Sequence, residues 1–448
     1  MTTTPEVKKT RTETMMLNVG PSHPAMHGIV RIVAELDGEN IVSSDVEIGY
    51  LHRAFEKDAE QSGYLQVLPY TDRLNYVSPL INNTGFCLAV EKLFNLDTPE
   101  RAKYIRVIMC ELSRVTDHLT CVGASAMELG AFTAFLYMIK AREYLYELIE
   151  QVTGARLTIS YMRVGGVKGD LPEDFEAKCR EAIRETRKVL KECDELLTKN
   201  RIFVDRLKDT GKISQQNALA YGITGPFLRA TGVDYDVRRA TPYLVYDRFD
   251  FEIPVGQHGD NYDRYLCRMA EMEQSLRIVE QAFDQMPKGP VLVNTEGQVI
   301  SAEHMVDEAK MGRVEGLGFK TADVDPTLSG MNKADYAETH AKNKRAVMPP
   351  KEDTYSNIEG LMHHFKMIMD GHGIRPPKGE AYFPVEGANG ELGFYVVSDG
   401  TGRPYRVRVR PPCFVIVAAL PILINGETLA DVVPTFGSVN MIGGELDR

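Results

Sequence analysis

The sequence predicts a mainly helical α+β protein, with a helical bundle flanked by small β-sheets. Three observations lead to this prediction. Short strand-like segments stand near the N-terminus, long segments with helical periodicity fill the middle, and two more strand-like segments follow near the C-terminus. Runs of strands kept apart from runs of helices are typical of the α+β class.

The N-terminal region, residues 1–85, is predicted to carry a small sheet. Its strands are Met15–Leu17, Ile29–Glu35 and Ile41–Val46. The pair Asp37-Gly38 stands between the last two, and this dipeptide favours a tight hairpin turn. A loop that contains two histidines would join the first two strands.

The second region, residues 86–294, is predicted to form the helical bundle. Thr98-Pro99-Glu100 is typical of a helix start, because a capping hydroxyl, an early proline and an acid near the positive end of the helix dipole occur together. Further helical segments are Met127–Val152, about Pro172–Lys199, and Asn261–Gln285. Long helices joined by short loops favour a bundle.

Residues 295–350 are predicted to be a surface insertion, because they are rich in charge and poor in large apolar side chains. The last region, residues 351–448, is predicted to hold a helix and a small sheet. The helix is about Ser356–Asp370, and the strands are Gly393–Ser398 and Tyr405–Val409.

Composition excludes several kinds of protein. The net charge of −11 argues against general nucleic-acid binding, which needs a basic surface. None of the seven cysteines stands in a Cys-x-x-Cys pair, which argues for reduced thiols and against a cluster or zinc held by this chain alone. The longest apolar run, Cys413–Ile424, falls short of the roughly 18 residues that a membrane span needs.

The loop Asn18–Gly28 (NVGPSHPAMHG) has the most informative composition in the chain. His23 and His27 lie four residues apart, and Pro24 keeps the segment out of a regular helix. Imidazole exchanges protons near neutral pH, so the loop is a candidate site of proton chemistry. Taken alone, the same pattern also fits ordinary turn structure or a metal site.

This loop is the first of a series of short motif segments that together span nearly the whole chain. The others are IGYLHRAFEK (Ile48–Lys57), YTDRLNY (Tyr70–Tyr76), ELSR (Glu111–Arg114), MRVGGV (Met162–Val167), Thr224–Arg239, HFK (His364–Lys366), PKGE (Pro377–Glu380), Gly390–Gly400 and GELDR (Gly444–Arg448). In their order they resemble the quinone-site subunit family of respiratory complex I, the proton-pumping NADH–quinone oxidoreductase (the D subunit in bacteria).

The resemblance implies a fold like that of the large subunit of nickel–iron hydrogenases. Those proteins hold their metal centre with two Cys-x-x-Cys pairs, and this chain has neither. A soft metal needs thiolate ligands, so hydrogenase activity is rejected. In the complex I family the position of that metal centre has become the pocket for the quinone headgroup.

The resemblance also assigns the site residues. The family's quinone-contacting tyrosine falls on Tyr76 and its histidine on His27, and each donates a hydrogen bond while neutral. Glu128 is expected to recharge His27 with protons. His23 and Met26 are expected to line the quinone pocket. Arg73 would lie near the terminal iron–sulfur cluster of a neighbouring subunit; otherwise it is a surface ion pair.

Three positions depart from the family pattern. Glu128 replaces an aspartate, which keeps the carboxylate but lengthens the side chain by one methylene group. Thr158 stands where the family usually has a cluster-proximal histidine, and threonine does not titrate in the working range. Ala54 replaces a glycine in the segment that contains His52, Arg53, Glu56 and Lys57, which is interpreted as structure at the base of the pocket.

Near the C-terminus, Arg406, Arg408 and Arg410 alternate with valines, so a strand would place the three arginines on one face. That face would meet either an acidic partner or water, and we favour the partner.

By resemblance, the chain is an enzyme subunit that forms the quinone-reduction site and couples it to proton translocation. It would bind no cofactor by itself; quinone would be its substrate, and the iron–sulfur cluster would belong to the neighbouring small subunit. Its partners would be that subunit, other peripheral-arm subunits and a membrane-arm subunit. It would lie peripherally on the cytoplasmic side of the bacterial membrane.

Two rival functions remain at this stage. One is a scaffold that docks the small subunit onto the membrane arm without catalysis. The other is the equivalent subunit of a related complex that takes electrons from a ferredoxin-like carrier, because the donor binds other subunits. The type of quinone is also open.

Overall fold

The computed structural model describes residues 13–23, 28–293, 313–314, 318–319, 346–349, 351–369 and 372–448. Helices dominate these residues, and small antiparallel sheets flank them, so the predicted fold class is confirmed. His27 and Met26 lie outside the described residues, as does nearly all of the predicted insertion.

The three predicted N-terminal strands are confirmed. They are β1 (Met15–Val19), β2 (Arg31–Asp37) and β3 (Asn40–Glu47), paired antiparallel in that order. Asp37 pairs with Asn40 across the predicted hairpin, and Gly38 takes a φ of 64°, which suits glycine. Alternate residues of β2 are buried, so one face of the sheet packs onto the protein.

Three helices begin before residue 86, the predicted start of the helical region. They are α1 (Phe55–Gln61), α2 (Tyr64–Thr71) and α3 (Pro79–Phe94). Almost every residue of α3 is buried, including Asn82 and Asn83. A helix that is buried all round has no apolar stripe, which explains why periodicity did not reveal it.

The predicted bundle is formed by four long helices, α4 (Glu100–Glu128), α5 (Phe132–Thr153), α6 (Phe175–Leu197) and α11 (Asn261–Gln285). Helix α4 packs against α5, α11 and α3 and is the centre of the bundle. Short elements lie between the long helices: β4 (Met162–Arg163), β5 (Gly166–Val167), α7 (Arg201–Leu207), α8 (Gln215–Ala220), α9 (Gly225–Arg229), α10 (Val237–Ala240) and a 3₁₀ turn (Tyr246–Arg248).

The C-terminal region contains more strand than predicted. Within the predicted insertion, β6 (Arg313–Val314) pairs with β7 (Gly318–Phe319). The elements of the C-terminal region itself begin with α12 (Lys351–Ser356), α13 (Ile358–Ile368), β8 (Gly379–Glu386), β9 (Glu391–Ser398) and β10 (Arg406–Arg410). The two predicted strands are confirmed as β9 and β10, and β8 joins them in the order β10-β9-β8. The predicted helix is confirmed as α13, whose first turn is capped by the Asn357 side chain, and α12 precedes it.

Four short helices end the chain: α14 (Pro412–Ala418), α15 (Leu420–Ile424), α16 (Leu429–Val439) and α17 (Gly443–Asp447). The apolar run Cys413–Ile424 forms α14 and α15, whose buried side chains share a core with β2 and α16. Across the described residues, none of the helices combines the length and the apolar character that a membrane span requires.

The expectation that the arginine face of β10 meets an acidic partner is wrong for the described residues. Arg406 pairs with Glu60 at 2.8 Å and Arg408 pairs with Glu56 at 2.8 Å, so α1 of the same chain supplies the carboxylates. The guanidinium of Arg410 donates to the carbonyl oxygen of Glu391 at 2.5 Å. The face is satisfied internally because α1, a helix that the sequence pattern did not predict, packs on β10.

Candidate functional site

Four chain segments that carry family motifs meet in one region, and glycines allow their close approach. A Cβ atom on Gly28 would lie 3.2 Å from the Cα atom of Gly443, and one on Gly443 would lie 3.0 Å from Leu51. A Cβ atom on Gly444 would lie 2.5 Å from the carbonyl oxygen of Arg73. The end of the histidine loop, the segment after β3, the segment after α2 and the C-terminus are therefore in contact.

The C-terminus is tied to this region by hydrogen bonds. The Asp447 carboxylate accepts from the backbone N–H groups of Gly49 (3.0 Å) and Leu51 (2.7 Å). Nδ1 of His52 lies 2.8 Å from the carbonyl oxygen of Asp447. The guanidinium of Arg53 donates to the carbonyl oxygens of Arg73 (2.7 Å) and Gly444 (3.1 Å). These bonds fix Arg53 beside the segment that ends at Tyr76.

Tyr76 lies at the surface of this region and is 37% exposed, so a ligand has access to its ring. Burial of the remainder raises the pKa of the phenol, and the nearby Cys413 and Asp117 raise it further, while Arg53 opposes them. A phenol normally titrates near pH 10, so Tyr76 stays protonated at physiological pH. It is a neutral hydrogen-bond donor there.

Behind Tyr76, the buried Asp117 on α4 is held entirely by neutral donors. Its Oδ2 atom accepts from the Asn75 amide and the Ser78 hydroxyl, both at 2.8 Å. Its Oδ1 atom accepts from the Asn440 amide at 2.8 Å. Asn75 and Ser78 flank Tyr76 in sequence, so this buried carboxylate fixes the backbone that presents the phenol.

The polar network continues to a second buried carboxylate. The Asn440 amide also donates to Oδ1 of Asn389 at 2.6 Å. The thiol of Cys413 donates to Glu445 at 3.4 Å. Burial raises the pKa of Glu445 to about 7, and the Asp117 charge adds to the rise. Glu445 is thus a group that exchanges a proton near neutral pH, close to the Tyr76 region.

Asp117, Glu445 and Cys413 were not predicted from the sequence as site residues. The terminal segment GELDR matched a family motif, and that was the one available signal for Glu445. Asp117 was predicted only as part of a helix. Their burial and mutual contacts arise from the tertiary fold, which brings α4 and the C-terminus together.

Glu128 is the last residue of α4, and α16 packs over it. A Cβ atom on Gly437 would lie 2.7 Å from Oε2 of Glu128 and 3.1 Å from the Ser125 hydroxyl, so a larger residue there would displace the end of this carboxylate side chain. His23 is half-buried at the end of the described part of its loop. The pairing of Glu128 with His27 stays a prediction, because His27 lies outside the described residues.

Arg73 is exposed after α2, and one of its side-chain nitrogens donates to the carbonyl oxygen of Pro69. Its neighbour Asp72 is buried and accepts a hydrogen bond from the Ser160 hydroxyl at 3.0 Å. This bond places the segment that contains the exposed Thr158 next to Asp72. Burial raises the pKa of Asp72 to about 6. Asp72 is therefore a titrating group, missed from the sequence, on the side where the cluster is expected.

The centre of the bundle holds a dense group of buried charges. Its carboxylates belong to Glu111, Asp236, Glu271 and Glu386, and its guanidinium groups to Arg114, Arg229 and Arg238. We call these seven residues the ionic cluster. Asp236, Glu271 and Glu386 approach one another closely enough to suggest metal ligands, but Arg229 pairs with all three.

Comparison with known proteins agrees with this fold and these motifs. The family described as "Respiratory-chain NADH dehydrogenase, 49 Kd subunit" matches residues 128–322 and 324–448. The chain is 52% identical to the first of the NADH-quinone oxidoreductase D subunits of Sorangium cellulosum, over 97% of this chain and 96% of that protein. It is 50% identical to the D subunit of Myxococcus xanthus, over 98% and 94% respectively.

A third relative is a longer, fused protein. The NADH-quinone oxidoreductase C/D subunit of Bdellovibrio bacteriovorus is 46% identical over 96% of this chain, which covers 68% of that protein. The full-length relatives and the family match over most of the chain establish the assignment. This chain belongs to the 49 kDa subunit family of respiratory-chain NADH dehydrogenase, an enzyme subunit that works within its complex.

Proposed function

We propose that this chain forms the quinone-reduction site of a proton-pumping NADH–quinone oxidoreductase. The reaction is inferred from the names of its relatives, which are NADH-quinone oxidoreductase subunits. The candidate site is the region around Tyr76. The observation that carries the proposal is the partly exposed, neutral Tyr76 phenol, on a segment that Arg53 bonds at Arg73 and that the buried Asp117 bonds at Asn75 and Ser78.

Quinone reduction consumes two electrons and two protons. The electrons come from an iron–sulfur cluster on the neighbouring small subunit, with Arg73 on that side. Tyr76 and His27 hydrogen-bond the two carbonyl oxygens and donate the protons, since a general acid needs to lie within about 2.6–3.2 Å of the atom it protonates. Glu128 returns a proton to His27, and His23 and Met26 line the pocket.

The same proposal covers the partners and location of the chain. It binds the cluster-bearing small subunit, further peripheral-arm subunits and a membrane-arm subunit, and it lies peripherally on the cytoplasmic face of the membrane. The fused C/D relative supports a close association with the C subunit. Changes of charge at the reduced quinone then bias the membrane subunits that translocate protons.

The first test is Tyr76→Phe in the purified complex. Removing the phenolic hydroxyl deletes one proton donor, so inhibitor-sensitive NADH–quinone reduction should fall by about a hundredfold. NADH oxidation by an artificial acceptor upstream and reduction of the iron–sulfur clusters should be unchanged. Tyr70→Phe, an exposed tyrosine at the end of α2, is the matched control and should behave like the parent.

The same experiment separates catalysis from scaffolding. A scaffold would tolerate Tyr76→Phe with no loss of quinone reduction in an assembled complex, and that result would reject the proposed site. A complex that reduces quinone from reduced ferredoxin but not from NADH would keep the site and change the donor.

A further inference from the structure

Helix α13 carries an exposed apolar face. Six large apolar side chains on this helix and just after it are between 37% and 69% exposed. They are Ile358, Leu361, Met362, Phe365, Ile368 and Met369, and we call this set the apolar stripe. Their positions recur every three or four residues, so they lie along one side of the helix.

Helix α13 packs on the protein with its opposite side. Gly360 and Met367 are its buried residues, and His363 and His364 are half-buried. A surface helix ordinarily turns its apolar side toward the core of its own protein. In α13 this arrangement is reversed, so the apolar stripe is available to a partner.

The orientation of α13 is fixed at both ends. The Asn357 side chain caps its first turn. After its last turn, the backbone N–H of Gly373 donates to the carbonyl oxygen of Lys366 at 3.0 Å. Met367 and Ile374 belong to the main hydrophobic core of the protein. The apolar stripe is therefore held outward by contacts on either side of it.

The apolar stripe is large enough for a specific protein interface. A large apolar side chain has on the order of 200 Å² of surface, so six side chains at these exposures present on the order of 600 Å². A soluble protein rarely exposes a contiguous apolar patch of this size unless the patch has a function. A standard interface buries about 800 Å² on each partner, so the stripe and its surroundings would form most of one side.

Beside the apolar stripe lies a basic surface pocket of about 500 Å³. Lys366, His372 and Arg375 line it, and its described lining residues include no acidic side chain. Lys366 follows Met362 by one helical turn and so also borders the stripe. Lys366 and Pro377 belong to the motif segments HFK and PKGE, to which the proposed quinone site gives no role. The pocket is complementary to an acidic side chain at the edge of an apolar surface.

The charge of α13 favours a protein over a membrane as its partner. Helices that lie on a membrane surface are rich in lysine and arginine on their polar side. Helix α13 contains one lysine, Lys366, and one glutamate, Glu359, and its side opposite the stripe packs against the protein. Family membership provides a protein partner, because the chain is a subunit that works within a complex.

We propose that the apolar stripe and the basic pocket form a docking surface for another protein subunit of the complex. The partner presents an apolar groove to Met362 and Phe365, at the centre of the stripe. A carboxylate at the edge of that groove enters the pocket and pairs with Lys366. The docking surface depends on membership of the complex and is independent of the quinone site proposed at Tyr76.

The first test is photo-crosslinking in the purified complex, with p-benzoylphenylalanine in place of Met362. Irradiation should join this chain to one other subunit, and mass spectrometry should locate the joined segment next to apolar residues and an acid. Crosslinks to lipid alone would assign the surface to the membrane and reject the proposal. Crosslinks within this chain alone, for example to the predicted insertion at residues 295–350, would also reject it.

The second test is Phe365→Glu, which places a charge at the centre of the apolar stripe. In complex purified through a tag on this chain, the amount of the crosslinked subunit should fall by about tenfold, because central aromatic contacts carry much of the binding energy of an interface. Ile202→Glu, a change at an exposed apolar residue of α7, is the matched control and should keep the parent amount. Unchanged hydrogen exchange in the buried α4 would show that the Phe365→Glu chain is folded.

Lys366→Glu tests the charge of the pocket. It should also lower the amount of the crosslinked subunit, and an acid-to-lysine change in the joined segment of that subunit should restore it. Parent amounts of every subunit in both the Phe365→Glu and the Lys366→Glu complexes would overturn the proposal. Neither result bears on the quinone site, since Tyr76→Phe should alter quinone reduction and leave the subunit composition unchanged.

Discussion

Side chains around Tyr76 owe their properties to burial more than to residue type. Asp117 is 1% exposed, and two amides and a hydroxyl donate to its carboxylate. Glu445 is equally buried, and burial raises its pKa to about 7. Glu445 is therefore able to exchange a proton near neutral pH.

Ala54 provides a prediction about backbone strain. It precedes α1 with φ 53° and ψ 34°, a left-handed conformation that costs an ordinary residue about 1–2 kcal/mol. Ala54→Gly should stabilise α1 by about 0.5–1 kcal/mol, because the relief exceeds the added backbone entropy of the unfolded chain. Slower amide hydrogen exchange in α1 of the complex would show this. Ala59→Gly, inside α1, should have the opposite effect.

Thr158 leads to a prediction about the iron–sulfur cluster that the proposed function assigns to the neighbouring subunit. With threonine in place of the family's histidine, Asp72 is the titrating group on that side. Its pKa of about 6 means that it becomes fully charged as the pH rises through this value, which lowers the cluster potential there. Above about pH 7 no further change occurs, so the potential should be flat between about pH 7 and 9.

A redox titration of the complex at several pH values measures this directly. A slope near one proton per electron in the alkaline range would contradict the prediction. Thr158→His should introduce such a slope, and it is the natural positive control.

At the scale of elements, the site depends on helices that have no apolar stripe. Helix α3 is buried all round because it lies between α4 and the sheet formed by β8 and β9. Helix α1 supplies Glu56 and Glu60, which form ion pairs with arginines of β10. The arginine face of β10, which was predicted to meet a partner protein, therefore forms a contact within the chain. Both features place the segment from His52 to Tyr76 against the C-terminus.

Gly85 tests the contact between α3 and the sheet. A Cβ atom there would lie 3.0 Å from both the Phe394 ring and the Val385 side chain, which are themselves buried. Gly85→Ala should therefore destabilise the chain by about 1–3 kcal/mol through overpacking. Gly169→Ala, where nothing lies within 4 Å of the added atom, is the matched control. Thermal midpoints of the two purified complexes should differ accordingly; equal midpoints would contradict the contact.

For the whole molecule, the ionic cluster joins elements that are far apart in sequence. Arg229 of α9 contacts Glu271 of α11 and Glu386 at the end of β8, and Arg238 of α10 contacts Glu111 of α4. These pairs connect the bundle to the C-terminal sheet. Each charge is buried, so each depends on its partners for compensation.

Arg229→Met should therefore cost about 3–5 kcal/mol, because it leaves buried carboxylates uncompensated. The yield of assembled complex at raised temperature reports this loss. Arg187→Met is a suitable control, since Arg187 pairs with Glu273 and Glu280 at a partly exposed site and should cost less than about 1 kcal/mol. Equal yields from the two variants would show that the cluster contributes little.

The sequence by itself determined the fold class, the N-terminal hairpin, the long helices and the family. These features are local, so they are recognised from neighbouring residues alone, without knowledge of tertiary contacts. They are the period-two alternation, the Asp37-Gly38 turn, the Thr98-Pro99-Glu100 helix start and the short motifs. The predicted bounds of α11 and its observed bounds are the same, because that helix has clear periodicity and an Asp260 cap.

Only the tertiary structure decided which distant residues share one environment. Asp117, Cys413 and Glu445 meet near Tyr76, and Glu386 meets Arg229, because the C-terminal sheet and helices return to α4. Burial and proximity then shift the pKa of an acid such as Glu445, and neither quantity is encoded in the local pattern around that residue. The candidate residues come from the sequence, but their protonation and connections come from the fold.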